Sequence, residues 1–113
     1  MLPEDGYLLR IFIGEADKKE GIPLYEWIVR RAKNEGIAGA TVLRGIFGYG
    51  GSSHIHTAKI LQLSTDLPVI IEIIDTLEKI DAFMPIVDEV IEGGLVTLEK
   101  AKIRLFRSKN KTS

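Results

Sequence analysis

The sequence predicts an α+β protein, a four-stranded antiparallel sheet with two helices on one face, and three observations carry that prediction. Four segments have the β-branched and aromatic content of strands. Two segments between them carry apolar residues at helical spacing, so the order reads β-α-β-β-α-β. The length, 113 residues with 45% hydrophobic and 27% charged side chains, suits one core and is too short for two. The chain is therefore expected to form one domain over residues 1–113, with a core at about residues 7–106 and a polar, frayed tail at 107–113.

The elements follow in order. Tyr7 to Ile13, YLLRIFI, is mostly apolar and predicts a strand covered on at least one face, ended by Gly14. From Pro23 to Glu35, Leu24, Trp27, Ile28 and Ala32 share one helical face while Glu26, Arg30, Arg31 and Lys33 fall largely on the other. Pro23 suits the first turn of that helix and Gly36 the residue just past its end. A second strand is expected over Ala38 to Phe47. Thr57 to Leu63 is amphipathic but too short to assign. Ser64 to Pro68 has turn chemistry before the third strand, Val69 to Asp75, whose β-branched run suits the middle of a sheet.

Thr76 or Asp75 can cap the second helix, with Glu78 placed for a capping box and Leu77, Ile80, Phe83, Met84 and Val87 on the apolar side. Pro85 inside that helix predicts a kink or a break. Glu92-Gly93-Gly94 ends the unit, and Leu95 to Phe106 predicts the last strand. This order is that of a ferredoxin-like split βαβ fold. Strands two and three carry apolar residues at both parities, so the sheet face away from the helices would leave a large apolar patch in water. Burial against copies of the same chain, three sheets facing inward in a closed ring, removes it.

Composition excludes several functions. Fifteen basic and sixteen acidic side chains leave a formal charge of −1, so no basic face is expected for nucleic acid. No apolar run reaches the roughly 18 residues of a membrane span, and no signal peptide is visible, so a cytoplasmic protein is expected. With no cysteine there can be no disulfide, thiolate metal site or thiol nucleophile. The single glutamine and two asparagines fit the scarcity of thermolabile side chains in heat-adapted proteins.

The functional signal lies in Gly36 to His56, GIAGATVLRGIFGYGGSSHIH, where a strand runs directly into a glycine-rich loop. Gly45, Gly48, Gly50 and Gly51 give backbone that can turn sharply and face an anion with its N–H groups. The same glycines could form a plain hairpin connection. They are neither a P-loop nor a dinucleotide fingerprint.

The order of elements, with GIAGATV before the second strand, GIFGYGG leaving it, the LPVIIEII strand and a helix ending in Gly-Gly, resembles the PII signalling proteins. It is most similar to a small PII-like branch in which RGI.GYG is followed by S..IHT and then S.DLP. The resemblance implies a homotrimer with an adenine nucleotide (AMP, ADP or ATP) in the clefts between subunits and signalling through the loop after strand two. It implies that Gly39, Ala40 and Thr41 line the nucleotide cleft, that Gly48, Tyr49 and Gly50 stand at the base of the loop, and that Glu72 and Ile74 lie beside the base. Gly93 and Gly94 correspond to the turn that wraps the phosphates. The loop is much shorter than in PII proteins, and the lysine-rich run and C-terminal Arg-x-Arg that hold phosphate there are missing. Arg44, Lys100, Lys102 and Arg104 are candidate substitutes, with the Gly45 to Gly51 backbone.

Other readings stand beside each residue. His54 and His56 could face one way and hold a metal, but two ligands make a poor site and no metal is expected. Arg44 could pair with an acidic neighbour, and Glu72 could join an ion pair across subunits or touch the ligand. Trp27 suits core or interface. No catalytic constellation is visible, so an enzyme is not expected. Two alternatives remain: a CutA-like trimer binding divalent metal, and a ligand-free module whose loop at residues 48–57 docks on a protein partner such as a transporter.

Overall fold

The computed structural model describes residues 4–49, 56–57 and 67–109. β1 (Asp5–Gly14) is followed by two short paired strands, β2 (Lys18–Lys19) and β3 (Ile22–Pro23), and by α1 (Leu24–Asn34). Then come β4 (Gly39–Arg44), β5 (Phe47–Gly48), β6 (His56–Thr57), β7 (Pro68–Asp75), α2 (Leu77–Val90) and β8 (Leu95–Lys102). The long strands form one antiparallel sheet in the order β4-β7-β1-β8, the ferredoxin-like arrangement that the element order predicts.

Alternation along the central strands makes the core. Leu9, Ile11 and Ile13 of β1 stand opposite Ile73, Ile71 and Val69 of β7, and all six are buried. They meet Leu24, Ile28 and Ala32 of α1 and Ile80, Phe83 and Val87 of α2. Each such aliphatic or aromatic side chain removed from water contributes about 1.5–3 kcal/mol, so this layer carries the stability of the fold. The other parity, Leu8, Arg10 and Phe12 with Ile70, Glu72 and Ile74, is only half-buried and forms the second sheet face.

Helix ends follow local chemistry. Pro23 stands just before α1, and Gly36 takes φ +80° just after it, a left-handed turn that glycine adopts without a Cβ clash. The Thr76 hydroxyl caps α2 by accepting the Lys79 amide at 3.3 Å. Lys79 therefore occupies the third position after the cap, and the expected capping box with Glu78 is not made; Glu78 instead lies in the first turn, favourable to the helix dipole. The break expected at Pro85 is also absent, since α2 runs through it. The proline is exposed, and the carbonyl it leaves unbonded belongs to Asp81, also exposed, where water can serve it.

Two predicted strands are shorter than expected. The second stops at Arg44: the Gly45 amide still donates to the Pro68 carbonyl at 2.7 Å, in register with β7, but proline has no N–H to return the bond, so the ladder ends and Phe47-Gly48 pairs instead with His56-Thr57. The last stops at Lys102. Its neighbour β1 begins at Asp5, opposite Lys102, and the Ile103 amide adds one further bond to the Glu4 carbonyl at 2.7 Å. Among the described residues no helix is long and apolar enough to cross a membrane. The segment Thr57–Leu63 beyond Thr57, the turn at Ser64–Asp66 and residues 110–113 lie outside the described residues.

Candidate functional site

The open sheet face brings together four of the residues singled out from sequence. Gly39, Thr41, Glu72 and Ile74 share its parity, with Gly39 opposite Ile74 and Thr41 opposite Glu72. A Cβ on Gly39 would lie 3.1 Å from the Ile74 Cγ2, so the glycine keeps this corner clear. Ala40 points the other way, against the core. Glu72 has a partner in its own chain: Arg10 Nε donates to its Oε2 at 2.9 Å, and the same guanidinium bonds Glu99. The hydrogen bond to Glu72, with the charge of Glu99 beside it, holds the Arg10 guanidinium above its already high ordinary pKa. Within one chain Glu72 is thus paired with a cation on the neighbouring strand.

A second group lies at the end of the sheet where Gly14 faces Pro68. Arg44 pairs with Glu15, the acidic neighbour that sequence reading allowed as the alternative to phosphate, and its side chain stays 61% exposed. Gly45 is needed for close approach, since a Cβ there would sit 2.8 Å from the Pro68 Cγ. Gly48 is held in the β5–β6 ladder, and Tyr49 is exposed beside it, with Ile46 and Phe47. Gly94 has the same packing role as Gly45: its Cβ would meet the Phe12 carbonyl oxygen at 2.5 Å. At Gly93 nothing lies within 4 Å of that position.

The two edge strands hold what one chain does not bring together. Thr41 is on β4 and Gly93-Gly94 leads into β8, with β7 and β1 between them, a separation of about 14 Å at ordinary strand spacing. Lys100 and Lys102 stand on β8, and Arg104 follows it, all away from Arg44 on β4. Gly50, Gly51 and His54 lie outside the described residues, as does the side chain of His56. Among the described residues no group of three or more histidine and carboxylate side chains could hold a metal ion.

Three features escaped the sequence reading. Arg10 had a signal, a lone cation inside YLLRIFI that needs acidic neighbours. Asp75, only 3% exposed, accepts the amides of Ala38 at 2.8 Å and Thr76 at 2.6 Å, which pins the start of β4 to the end of β7. A groove of about 290 Å³ lined by Tyr25, Glu26, Val29, Arg30 and Val42 runs between α1 and edge strand β4. Periodicity could not show it, because it forms between elements.

Comparison with known proteins matches these features to a family. The sequence model of DUF190, described as "Uncharacterized ACR, COG1993", matches residues 6–103. A UPF0166 protein of Aquifex aeolicus is 46% identical over 99 residues, covering 85% of this chain and 90% of that protein. Another, from Methanocaldococcus jannaschii, is 44% identical over 92 residues, covering 80% and 84%. Among solved structures, CPII of Thiomonas intermedia K12 bound to ADP and bicarbonate superposes with a TM-score of 0.57 at 17% identity, covering 88% of each chain. The same nitrogen regulatory PII-like protein bound to ADP, AMP and bicarbonate gives a TM-score of 0.58, again at 17% identity and 88% coverage. The chain belongs to the DUF190 family, and its fold is PII-like.

Proposed function

We propose that this protein is a cytoplasmic regulatory binding protein, not an enzyme, which takes an adenine nucleotide in clefts between three copies and signals through the loop that follows β5. The observation that carries the reading is the PII-like fold shared with CPII, a protein solved with ADP and AMP. The separation of Thr41 from Gly93-Gly94 on opposite sheet edges supports a cleft between copies, where the β4 edge of one chain stands beside the β8 edge of the next. The base lies near Thr41 and Ile74. The phosphates face Arg44 and the backbone from Gly45, with charge-assisted hydrogen bonds from the guanidinium once Glu15 yields it. Exposed Ile46, Phe47 and Tyr49, at 74%, 63% and 71%, offer apolar contact to a protein partner at the base of the signalling loop.

Isothermal calorimetry with AMP, ADP and ATP tests the site on the wild type, Thr41→Val and Arg44→Ala. AMP or ADP binds at least as tightly as ATP, because the lysines that would grip a third phosphate are missing. Arg44→Ala loses about 1.5–3 kcal/mol of binding. Equal binding by all three proteins, or no adenine nucleotide bound at millimolar concentration, refutes the site. Heat on titration with divalent metal and none with nucleotide favours the CutA-like reading instead.

A further inference from the structure

The chain leaves two unsatisfied features on opposite sides of the sheet, and each has the shape of the other. On one side, β4 is an edge strand, paired only with β7 among the described residues, and the apolar groove of Tyr25, Val29 and Val42 lies along it. On the other, the chain beyond β8 leaves the sheet at Ile103 with Leu105 69% and Phe106 44% exposed. Two large apolar side chains in water beside a free strand edge are an invitation to pairing.

We propose that residues 103–107 of one copy add as a strand to the free edge of β4 in the next copy, with Phe106 seated in the α1–β4 groove. This rests on the reading of the protein as a ring of three and names the contact that closes the ring. Side-chain parity supports it. Val96 and Leu98 of β8 stand opposite Ile11 and Leu9, so even-numbered residues there face the helices. Ile103 keeps that alternation: its Cδ1 lies 2.5 Å from where a Cβ of Gly6 would be, and Gly6 shares the open-face parity of Leu8 and Arg10. Carried on, the alternation sends Phe106 to the helix side and Leu105 to the open side. On β4 the same two sides carry Val42, beside the groove, and Leu43, which is 45% exposed. One added strand therefore covers both. Arg104, on the side of Phe106, arrives at a groove whose Glu26 is already paired with Arg30 at 2.8 Å, so it joins that pair rather than meeting a free carboxylate, and apolar shape sets the contact.

A two-fold pairing of β4 with β4 would leave Leu105 and Phe106 in water. A head-to-tail contact uses both edges, and a rotation of one third of a turn between copies closes it into a ring of three. Main-chain hydrogen bonds then supply affinity and the groove supplies specificity, as in strand addition generally.

The absence of cysteine makes the contact directly readable. A chain carrying both Phe106→Cys and Tyr25→Cys, oxidised at micromolar concentration, yields disulfide-linked dimers and trimers on a non-reducing gel well above the level given by either single variant. In a separate arm, Phe106→Asp shifts the light-scattering mass from that of a trimer toward that of a monomer, with the far-UV circular dichroism unchanged because the residue is outside the core. If the wild type is a trimer but the double variant does not cross-link beyond the single ones, or Phe106→Asp remains a trimer, this contact is wrong while the ring stands. A wild type that is monomeric at micromolar concentration overturns both.

Discussion

The Asp75 carboxylate accepts the backbone amide of Ala38 at 2.8 Å across thirty-seven residues of sequence, and with its other oxygen accepts Thr76 at 2.6 Å. One buried side chain thus fixes both the chain that leads into Gly39-Ala40-Thr41 and the start of α2. Asp75→Ala leaves two amides without their acceptor in a site that water reaches poorly, and it costs about 1–3 kcal/mol for each amide left unpaired. Asp75→Asn keeps one carbonyl oxygen and costs less. Urea unfolding of the three proteins ranks them, and faster exchange of the Ala38 amide in both variants locates the effect; equal midpoints would refute it.

Gly93 and Gly94 separate packing from ligand binding. A methyl group on Gly94 has the Phe12 carbonyl oxygen 2.5 Å away, backbone that cannot swing aside, so Gly94→Ala costs about 1–3 kcal/mol. Gly93→Ala meets nothing within 4 Å and leaves the unfolding midpoint within error. Thermal melts decide the pair. If Gly93→Ala also weakens nucleotide binding in calorimetry, that loss reports on the site alone.

The two faces of β7 respond differently to truncation. Ile71 is fully buried against the helices, and Ile71→Ala costs about 2–5 kcal/mol at every protein concentration. Ile70 lies on the open face opposite Leu43, so Ile70→Ala chiefly weakens association. Its melting temperature therefore falls further behind the wild type as both proteins are concentrated. A concentration-independent difference for Ile70→Ala would count against burial of this face between copies.

Arg10 tests the same face by charge. In a lone chain its pairs with Glu72 and Glu99 are half-exposed and screened, so Arg10→Met shifts the melting temperature little. Enclosed between copies, Glu72 and Glu99 without their cation are like charges in a dry interface, and the variant no longer assembles. Sedimentation at low and high salt reads this directly: the variant stays monomeric at concentrations where the proposed trimer of the wild type persists, and salt restores little, because charges in a dry interface are poorly screened. Full assembly at low salt refutes the role.

Much of this was legible one residue at a time. The apolar run YLLRIFI, the β-branched run VIIEIID, the helical spacing from Leu24 to Ala32, Gly36 at the end of α1 and Thr76 at the start of α2 are each local signals, because strand content, helix period and caps depend on neighbours within a few positions. The motif blocks Arg44 to Thr57 and Ser64 to Pro68 pointed to the PII-like fold in the same way. Local reading misled where a distant partner intervened: β4 ends at Arg44 because Pro68, opposite Gly45, has no N–H to continue the ladder, and β8 ends at Lys102, opposite the first residue of β1.

The sequence by itself determined the order of the elements and the apolar face of each helix, since these rest on side-chain chemistry and short-range periodicity. Only the tertiary structure decided who meets whom. It placed Arg10 between Glu72 and Glu99, gave Asp75 the Ala38 amide, packed Gly94 against the Phe12 carbonyl, and set Thr41 and Gly93 on opposite edges. Those pairings are set by strand order and register, which depend on contacts between residues far apart in the chain and so leave no trace at any single position.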